Sequence, residues 1–512
     1  MNGELLTERL LAYARRFLHL DARDEVYMRN VLLAEFGLHA PYEGVPDVSD
    51  AEKMDVPDAL NAEIAAYALE NGLADEESAE RYCAKIFGML TQLPSVVNDE
   101  FSRLLEQKGP QDACDYLYGI SVKNGYIQKT AISRNLKWDY RDGSNTLEIT
   151  VNLSKPEKNN KDIAKLLTAP QTRKYPMCAL CKENEGFEGT ATHPPRQNIR
   201  TVKMSLGGEK WFMQYSPYAY YDEHCIAISE NHTPMHSDGT TVAKLLDFVD
   251  LLPNYFIGSN AALPIVGGSI LNHEHFQGGL HRMPMHRAGL RTQLKSREYP
   301  QLKAGILDWY NSGIRIEGKD RAAVAALAAK IIEEWKTFSC PECDILAETD
   351  GTPHNAVSPI CQKEGDKYIF SLLLRNNRTD DRYPDGIFHV HPEYMNIKSE
   401  GIGLIEAMGL FILPGRLKRQ LDAVEDILCG KAAYDRAALE DPSNDLHIHR
   451  FMIEKLMAEG MSAGKEEAHL RMQQYVGKVC AGILGNTAVF KNDENGRKGF
   501  KKFTDKLGFM EV

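Results

Sequence analysis

No apolar run in the 512 residues approaches the ~18 needed to cross a bilayer, so a helix-spanning membrane protein is not expected. The first residues, Met1-Asn-Gly-Glu4-Leu-Leu-Thr-Glu8, are acidic early and lack the pattern of a secretory signal, which points to a cytoplasmic protein. A surplus of positive charge is missing as well. The formal net charge is −12, so neither nucleic acid nor an anionic membrane surface is suggested as a partner. That balance still leaves room for a local basic pocket holding a phosphorylated small molecule. Low-complexity tracts and short-period repeats are absent. A disulfide framework is not expected either. The ten cysteines include two Cys-x-x-Cys pairs, and without a secretory signal these favour reduced thiols and metal.

The chain is long enough for roughly two to four domains. Residues 1 to about 120 carry apolar pairs at helical spacing: Leu5-Leu6, Leu10-Leu11, Phe17-Leu18, then Ala62 to Leu73 and Ala79 to Leu93. Asn145 to Leu153 alternates with period two and is rich in β-branched residues, a strand. From about 170 to 415 strand-like runs, glycine and histidine increase. Residues 416–512 return to helical patterning and end in a basic amphipathic segment, Lys491 to Lys506, read as a solvated helix face. The expected domains are a mainly helical region over 1–165, a catalytic half over 166–330, and a second half with C-terminal helices over 331–512.

Eight of the sixteen histidines fall between His193 and His286, where an even spread would place about three. Clustering of this kind favours a site. Within it stands Ser269-Ile-Leu-Asn-His273-Glu-His275-Phe-Gln277-Gly-Gly279. The preceding Leu263-Pro-Ile-Val-Gly-Gly268 reads as a buried strand that something approaches closely. On a strand, His273, His275 and Gln277 share one face, with Glu274 and Phe276 behind them. Two imidazoles and an amide on one face can serve as nucleophile, metal ligand and oxyanion donor, the equipment of group transfer. Cys178-Ala-Leu-Cys181 has the spacing of a zinc knuckle. His232 and His273 are candidates for its two further ligands, the alternative being a pair of buried free thiols. Cys340-Pro-Glu-Cys343, with His354, His389 and His391, is a candidate second metal site, set against a polar structural network. Phe388-His-Val-His391 reads as a strand with both imidazoles on one face. His447-Ile-His449 reads as helix, where i and i+2 lie about 200° apart, so surface histidines are expected there.

These residues resemble class II galactose-1-phosphate uridylyltransferases, the UDP-glucose–hexose-1-phosphate uridylyltransferases. The likeness extends over Leu147-Glu-Ile-Thr-Val-Asn-Leu-Ser-Lys-Pro-Glu-Lys158, Gly207-Gly-Glu-Lys-Trp-Phe-Met-Gln-Tyr-Ser-Pro-Tyr218, Phe256 to Ile270, and Ile402-Gly-Leu-Ile-Glu-Ala-Met-Gly409. His-x-His-x-Gln is also the pattern of the wider histidine-triad superfamily. The resemblance implies that His275 is the nucleophile and Gln277 stabilises the transferred phosphoryl. It implies zinc on Cys178, Cys181, His232 and His273, and a second, structural metal on His354, His389 and His391. Asn260, Gly268 and Ser269 resemble positions that contact nucleotide and phosphate. Glu274 departs from class I, which has proline between the histidines. For the acceptor phosphate, Arg196, Arg200 and Lys155 are the basic candidates.

The chemistry so implied moves UMP from UDP-glucose to galactose-1-phosphate through a uridylyl-histidine, with no organic cofactor. Neutral imidazole must attack, and an ordinary pKa near 6.5 leaves His275 mostly reactive at pH 7. Its other ring nitrogen needs an acceptor, expected to be a backbone carbonyl, to fix the tautomer. A nucleotide-sugar or dinucleotide hydrolase or phosphorylase of the same superfamily is the rival, since it would use the same His275 and Gln277. The expected fold is α+β, with antiparallel sheets and packed helices in two histidine-triad-like halves and helical terminal regions. The residues leave the oligomeric state open, though the resemblance to class I relatives, which are dimers, is compatible with a homodimer.

Overall fold

A computed structural model describes residues 2–154, 175–190, 193–268 and 270–512. The chain forms two compact units that interleave along the sequence. One takes in Met1–Arg134, Lys158–Thr233 and His273–Leu280, the other Asn135–Glu157, Pro234–Asn272 and His281–Val512.

The first unit opens with helices where the apolar spacing places them. Gly3–Phe17 starts where the Asn2 side chain accepts from the Leu5 N–H, and its buried face presents Leu6, Leu10 and Tyr13. Asp58–Glu70 and Ala79–Leu90 add Ile64 and Phe87 to the same apolar cluster. Beside these helices lies an antiparallel ladder ordered Val202–Leu206, Glu209–Tyr215, Cys225–Ser229, His275–Gly279. Arg200 pins the two together. It is 5% exposed, and its guanidinium donates to the carbonyls of Gly88, Thr91, Gln92, Gln197 and Ile199. The expectation that Arg200 holds a substrate phosphate therefore fails, because its donors are spent on main-chain carbonyls. Arg196 lies over the Tyr126 ring, 5.6 Å from its centroid, and Lys155 falls outside the described residues.

In the second unit Phe256–Gly258, Asn355–Glu364, Lys367–Asn376, Gly313–Gly318, Lys303–Leu307, Leu290–Ser296 and Phe509–Glu511 follow one another as antiparallel neighbours. Helices Gly239–Leu251 and Arg321–Lys336 cover this sheet, and Trp335 is fully buried against Phe338, Phe490 and Phe503. Asn145–Asn152 is the strand its alternation announces. It pairs antiparallel with Leu136–Asp142 and, as an exception to the antiparallel rule, parallel with Leu410–Pro414. The C-terminal region is helical, and its basic segment forms Glu494–Lys506. The α+β class with antiparallel sheets and helical ends is thus observed. No helix among the described residues is long and apolar enough to cross a membrane.

Three local expectations fail. Residues 263–267 form a turn in place of a strand: Pro264 accepts from the Val266 N–H at 2.8 Å and Ile265 takes a left-handed φ of 72°. Gly267 is required there, because a Cβ would stand 2.3 Å from the Ala261 carbonyl oxygen. Residues 387–391 are also a turn, so His389 and His391 do not share a strand face. His447–His449 is a 3-10 turn, and His449 is fully buried, its ring against Gln420 and Asn396.

Candidate functional site

The strand His275–Gly279 runs antiparallel to Cys225–Ser229, with Ile228 opposite His275 and Ile226 opposite Gln277. Just before it the chain is still held in register, since Ser229 N–H donates to the Glu274 carbonyl at 3.0 Å and Glu274 N–H to Thr233 at 2.8 Å. Two-residue periodicity then puts His275 and Gln277 on one face and Phe276 on the other. Phe276, 0% exposed, stacks on Trp211 with centroids 4.7 Å apart. This anchoring sets the rotation of the strand and so the direction of the histidine row.

Cys178, Cys181, His232 and His273 converge, with one ligand atom of each within 4.8 Å of the others. The sulfurs are 3.6 Å apart. His273 Nδ1 lies 3.3 Å from Cys178 Sγ and 3.8 Å from Cys181 Sγ, and His232 Nδ1 lies 3.2 Å from Cys181 Sγ and 3.8 Å from Cys178 Sγ. A tetrahedron with zinc–sulfur bonds of about 2.3 Å and zinc–nitrogen bonds of about 2.0 Å has S···S edges of about 3.8 Å and S···N edges of about 3.5 Å. The observed edges match it. The donor set, two thiols and two imidazoles, is a closed structural set for zinc and leaves no open position. Burial pushes the Cys178 thiol up to about 11, so only a bound cation would keep it as thiolate near neutral pH.

Supporting groups hold the quartet in shape. The Asn184 amide, buried, donates to the carbonyls of Cys178 and Cys181 at 2.9 and 2.7 Å, closing the knuckle, and His193 Nε2 lies 2.6 Å from Asn184 Oδ1. Asn184 was not anticipated. Its position three residues after Cys181 is the one signal in the sequence, and an asparagine there is unremarkable until the turn is seen. His273 Nε2 donates to the Ser229 carbonyl at 2.9 Å, which leaves Nδ1 free to face the cysteines.

His273 also acts through its main chain. Its carbonyl accepts from His275 Nδ1 at 2.8 Å. With Nδ1 as the N–H, Nε2 of His275 carries the lone pair. Burial, together with the neighbouring His273, pushes the His275 pKa down to about 4, partly offset by this hydrogen bond. The ring is therefore neutral near pH 7 with a wide margin, where an ordinary histidine would be partly protonated. Gln277, two residues on, has its amide oxygen buried without a partner among the described residues. A neutral, tautomer-locked imidazole followed on the same face by an amide can attack a phosphoryl group and contact its oxygens.

The remaining candidates lie in the second unit. Asn260 is 2% exposed and its Oδ1 accepts from the Leu404 N–H at 2.9 Å. Gly268 sits against it: a Cβ there would stand 2.9 Å from Asn260 Nδ2, so a side chain at 268 would displace the amide. Ser269 falls outside the described residues. His354, His389 and His391 do not come together as a metal site. Among the described residues only the Cys178, Cys181, His232 and His273 quartet groups three or more such ligands. His354 is engaged on both nitrogens, with Asn377 and Thr349 at 3.0 Å, while His391 contacts the Ile387 carbonyl and stacks on Tyr383. His389 is held well below the usual imidazole range first by burial and then by the Arg375 charge, with Asp385 acting against it and His391 and Lys398 adding to it. Cys343 packs its sulfur against Asn495 and joins none of these histidines in a ligand set.

Comparison with known proteins bears on this geometry. Residues 19–234 match the family model described as galactose-1-phosphate uridyl transferase, N-terminal domain, and residues 248–441 match its C-terminal domain. A galactose-1-phosphate uridylyltransferase of Caldanaerobacter subterraneus subsp. tengcongensis is 43% identical over 99% of this chain and 98% of its own length. One of Bacillus subtilis (strain 168) is 41% identical over 99% of this chain and 98% of its own. Among solved structures, yeast Ap4A phosphorylase Apa2 aligns with 72% of this chain and 95% of its own at 9% identity, with a TM-score of 0.32. A likeness that slight carries no argument.

Proposed function

Because the chain belongs to the galactose-1-phosphate uridyl transferase family, we propose that it moves UMP from UDP-glucose to galactose-1-phosphate through a covalent uridylyl-His275. The observation that carries this reading is the hydrogen bond from His275 Nδ1 to the His273 carbonyl, which leaves Nε2 unprotonated with its lone pair available. In the first half-reaction Nε2 attacks the α-phosphorus of UDP-glucose. A P–N bond forms, the P–O bond to the β-phosphate breaks, and glucose-1-phosphate leaves with the bond's electron pair. In the second, a phosphate oxygen of galactose-1-phosphate attacks the same phosphorus, the P–N bond breaks, and UDP-galactose departs with His275 neutral again. The imidazole needs no separate base, since it enters each cycle already deprotonated at Nε2. Its Nδ1–H stays on the His273 carbonyl and spreads the charge that the ring carries while uridylylated.

Gln277 is read as the donor to a non-bridging phosphoryl oxygen, an interaction that strengthens as charge shifts in the transition state. Asn260 and Gly268 are read as contacts to the nucleotide and phosphate. Zinc on Cys178, Cys181, His232 and His273 would supply a structural cross-link, with no part in bond making. Through the two roles of His273 that cross-link also fixes the acceptor for His275.

The test is isotope exchange. With no galactose-1-phosphate present, labelled glucose-1-phosphate should enter UDP-glucose, as a double-displacement cycle demands. Net hydrolysis of UDP-glucose without exchange would replace this reading with the hydrolase. Two further outcomes are expected. In a single turnover without acceptor, the rate at which UDP-glucose uridylylates the protein should hold level from pH 8 to pH 5 and fall only as pH nears 4, because burial depresses His275 and UDP-glucose, unlike the phosphate monoester used in exchange, does not titrate in that range. A fall centred near 6.5 would contradict the burial argument. Gln277→Ala should lower kcat by about 10² to 10³ with little change in KM, the cost typical of one lost oxyanion donor. An equal loss carried wholly by KM would assign Gln277 to ground-state binding.

A further inference from the structure

Arg375, on the strand Lys367–Asn376 of the second unit, is 0% exposed. Its Nη2 donates to the Ile402 carbonyl at 2.9 Å, but Nε and Nη1 meet no acceptor among the described residues. His389, 5% exposed, likewise has both ring nitrogens without a partner among the described residues. Buried guanidinium groups ordinarily face a carboxylate, because an unbalanced charge out of water is expensive. The carboxylate whose charge reaches Arg375 is Glu406, and Lys398, itself 5% exposed, already sits 3.1 Å from its Oε1. Two cations thus share one anion.

The segment Ile402–Glu406 gathers these groups. Arg375 donates to Ile402, the Leu404 N–H donates to Asn260 Oδ1, and a Cβ on Gly403 would stand 3.3 Å from Asn260 Oδ1 and 3.5 Å from Glu406 Oε2. The turn carrying His389 packs alongside. A Cβ on Gly386 would stand 2.9 Å from the His389 Cβ and 3.1 Å from Ile265, whose carbonyl abuts Gly401. Buried water could answer the hydrogen bonds but would leave the charge unbalanced. An oxyanion answers both: it accepts from Nε and Nη1 of the planar guanidinium, a geometry that suits phosphate, and from the N–H of a neutral His389.

We propose that Arg375 and His389 form a phosphate-binding site in the second unit, beside Asn260, that takes the phosphate monoester of a hexose-1-phosphate. The identity of the ester rests on the functional reading above, whereas the preference for an oxyanion rests on these side chains alone.

Calorimetric titration of the full chain with inorganic phosphate, and separately with galactose-1-phosphate and no UDP-sugar, tests this in chloride buffer. Both should bind the wild type and compete one for one. Arg375→Met should weaken each at least tenfold, and His389→Gln severalfold. Should Arg375→Met fail to fold, the wild-type titration and His389→Gln still decide. Binding of neither ligand to the wild type, or unchanged binding in the variants, overturns the site. Phosphate binding without galactose-1-phosphate binding overturns its assignment to the ester. A uridylyl adduct that forms in a protein that binds no phosphate would sink this site and leave the transferase reading standing.

Discussion

His275→Ala should abolish exchange, by at least about 10⁴-fold, because no other group replaces the nucleophile in a two-step transfer. The variant should nevertheless fold. The His275 side chain contributes one hydrogen bond, to the His273 carbonyl just before its strand, and the strand's position is set elsewhere, by Phe276 on Trp211 and by the pairing with Cys225–Ser229. Thermal unfolding and metal content close to those of the wild type, together with lost exchange, are the expected outcome. Retained exchange in a protein of normal stability would remove His275 from the role given to it. Lost exchange with lost metal would mean that the substitution had collapsed the neighbouring quartet, and Gln277→Ala would then carry the test of the row.

Metal removal should have the second large effect. One zinc per chain is expected by elemental analysis, and Cys181→Ser should lose it. Structural zinc in isolated finger peptides is worth about 10–16 kcal/mol. The expected loss here is a fraction of that, on the order of 3 kcal/mol or more, because the first unit keeps its own apolar core. Activity should fall with the metal. Without it His273 is released from the cysteines, and the carbonyl of that same residue is what orients His275. A metal-free Cys181→Ser protein with wild-type exchange would separate the quartet from the chemistry. A metal other than zinc in the wild type would revise the ion but not the ligands.

How much of this site was legible beforehand depends on the range of the interactions. The pair His275 and Gln277 follows from strand parity, and residues on one strand keep that relation wherever the strand is placed, whereas His273 precedes the strand and is aimed by the Ser229 carbonyl. The Cys-x-x-Cys turn is equally local. Its partner His232 was reachable because it follows a short apolar run, Cys225–Ser229, that pairs with the histidine strand. His354, His389 and His391 are not brought together, because alternation in Phe388-His-Val-His391 looks the same in a turn as in a strand. Arg200 was misjudged for a related reason. Three of the five carbonyls that absorb it, those of Gly88, Thr91 and Gln92, lie at a helix end about a hundred residues earlier. The pKa of His275 was out of reach too, since the burial that lowers it is a property of the assembled unit. Pro264, by contrast, carries a local signal, since a proline inside an apolar run argues against a central strand, whereas the left-handed φ of Ile265 has none. The interleaving of two compact units depends on contacts between distant segments, which pattern along the chain does not record.

Intact mass after mixing the purified protein with UDP-glucose alone tests the central claim most directly. A gain of one UMP, mapping to His275 and lost again on adding galactose-1-phosphate, is the predicted result. Turnover of UDP-glucose to products with no adduct at any time, under quenching that preserves phosphoramidates, would contradict it.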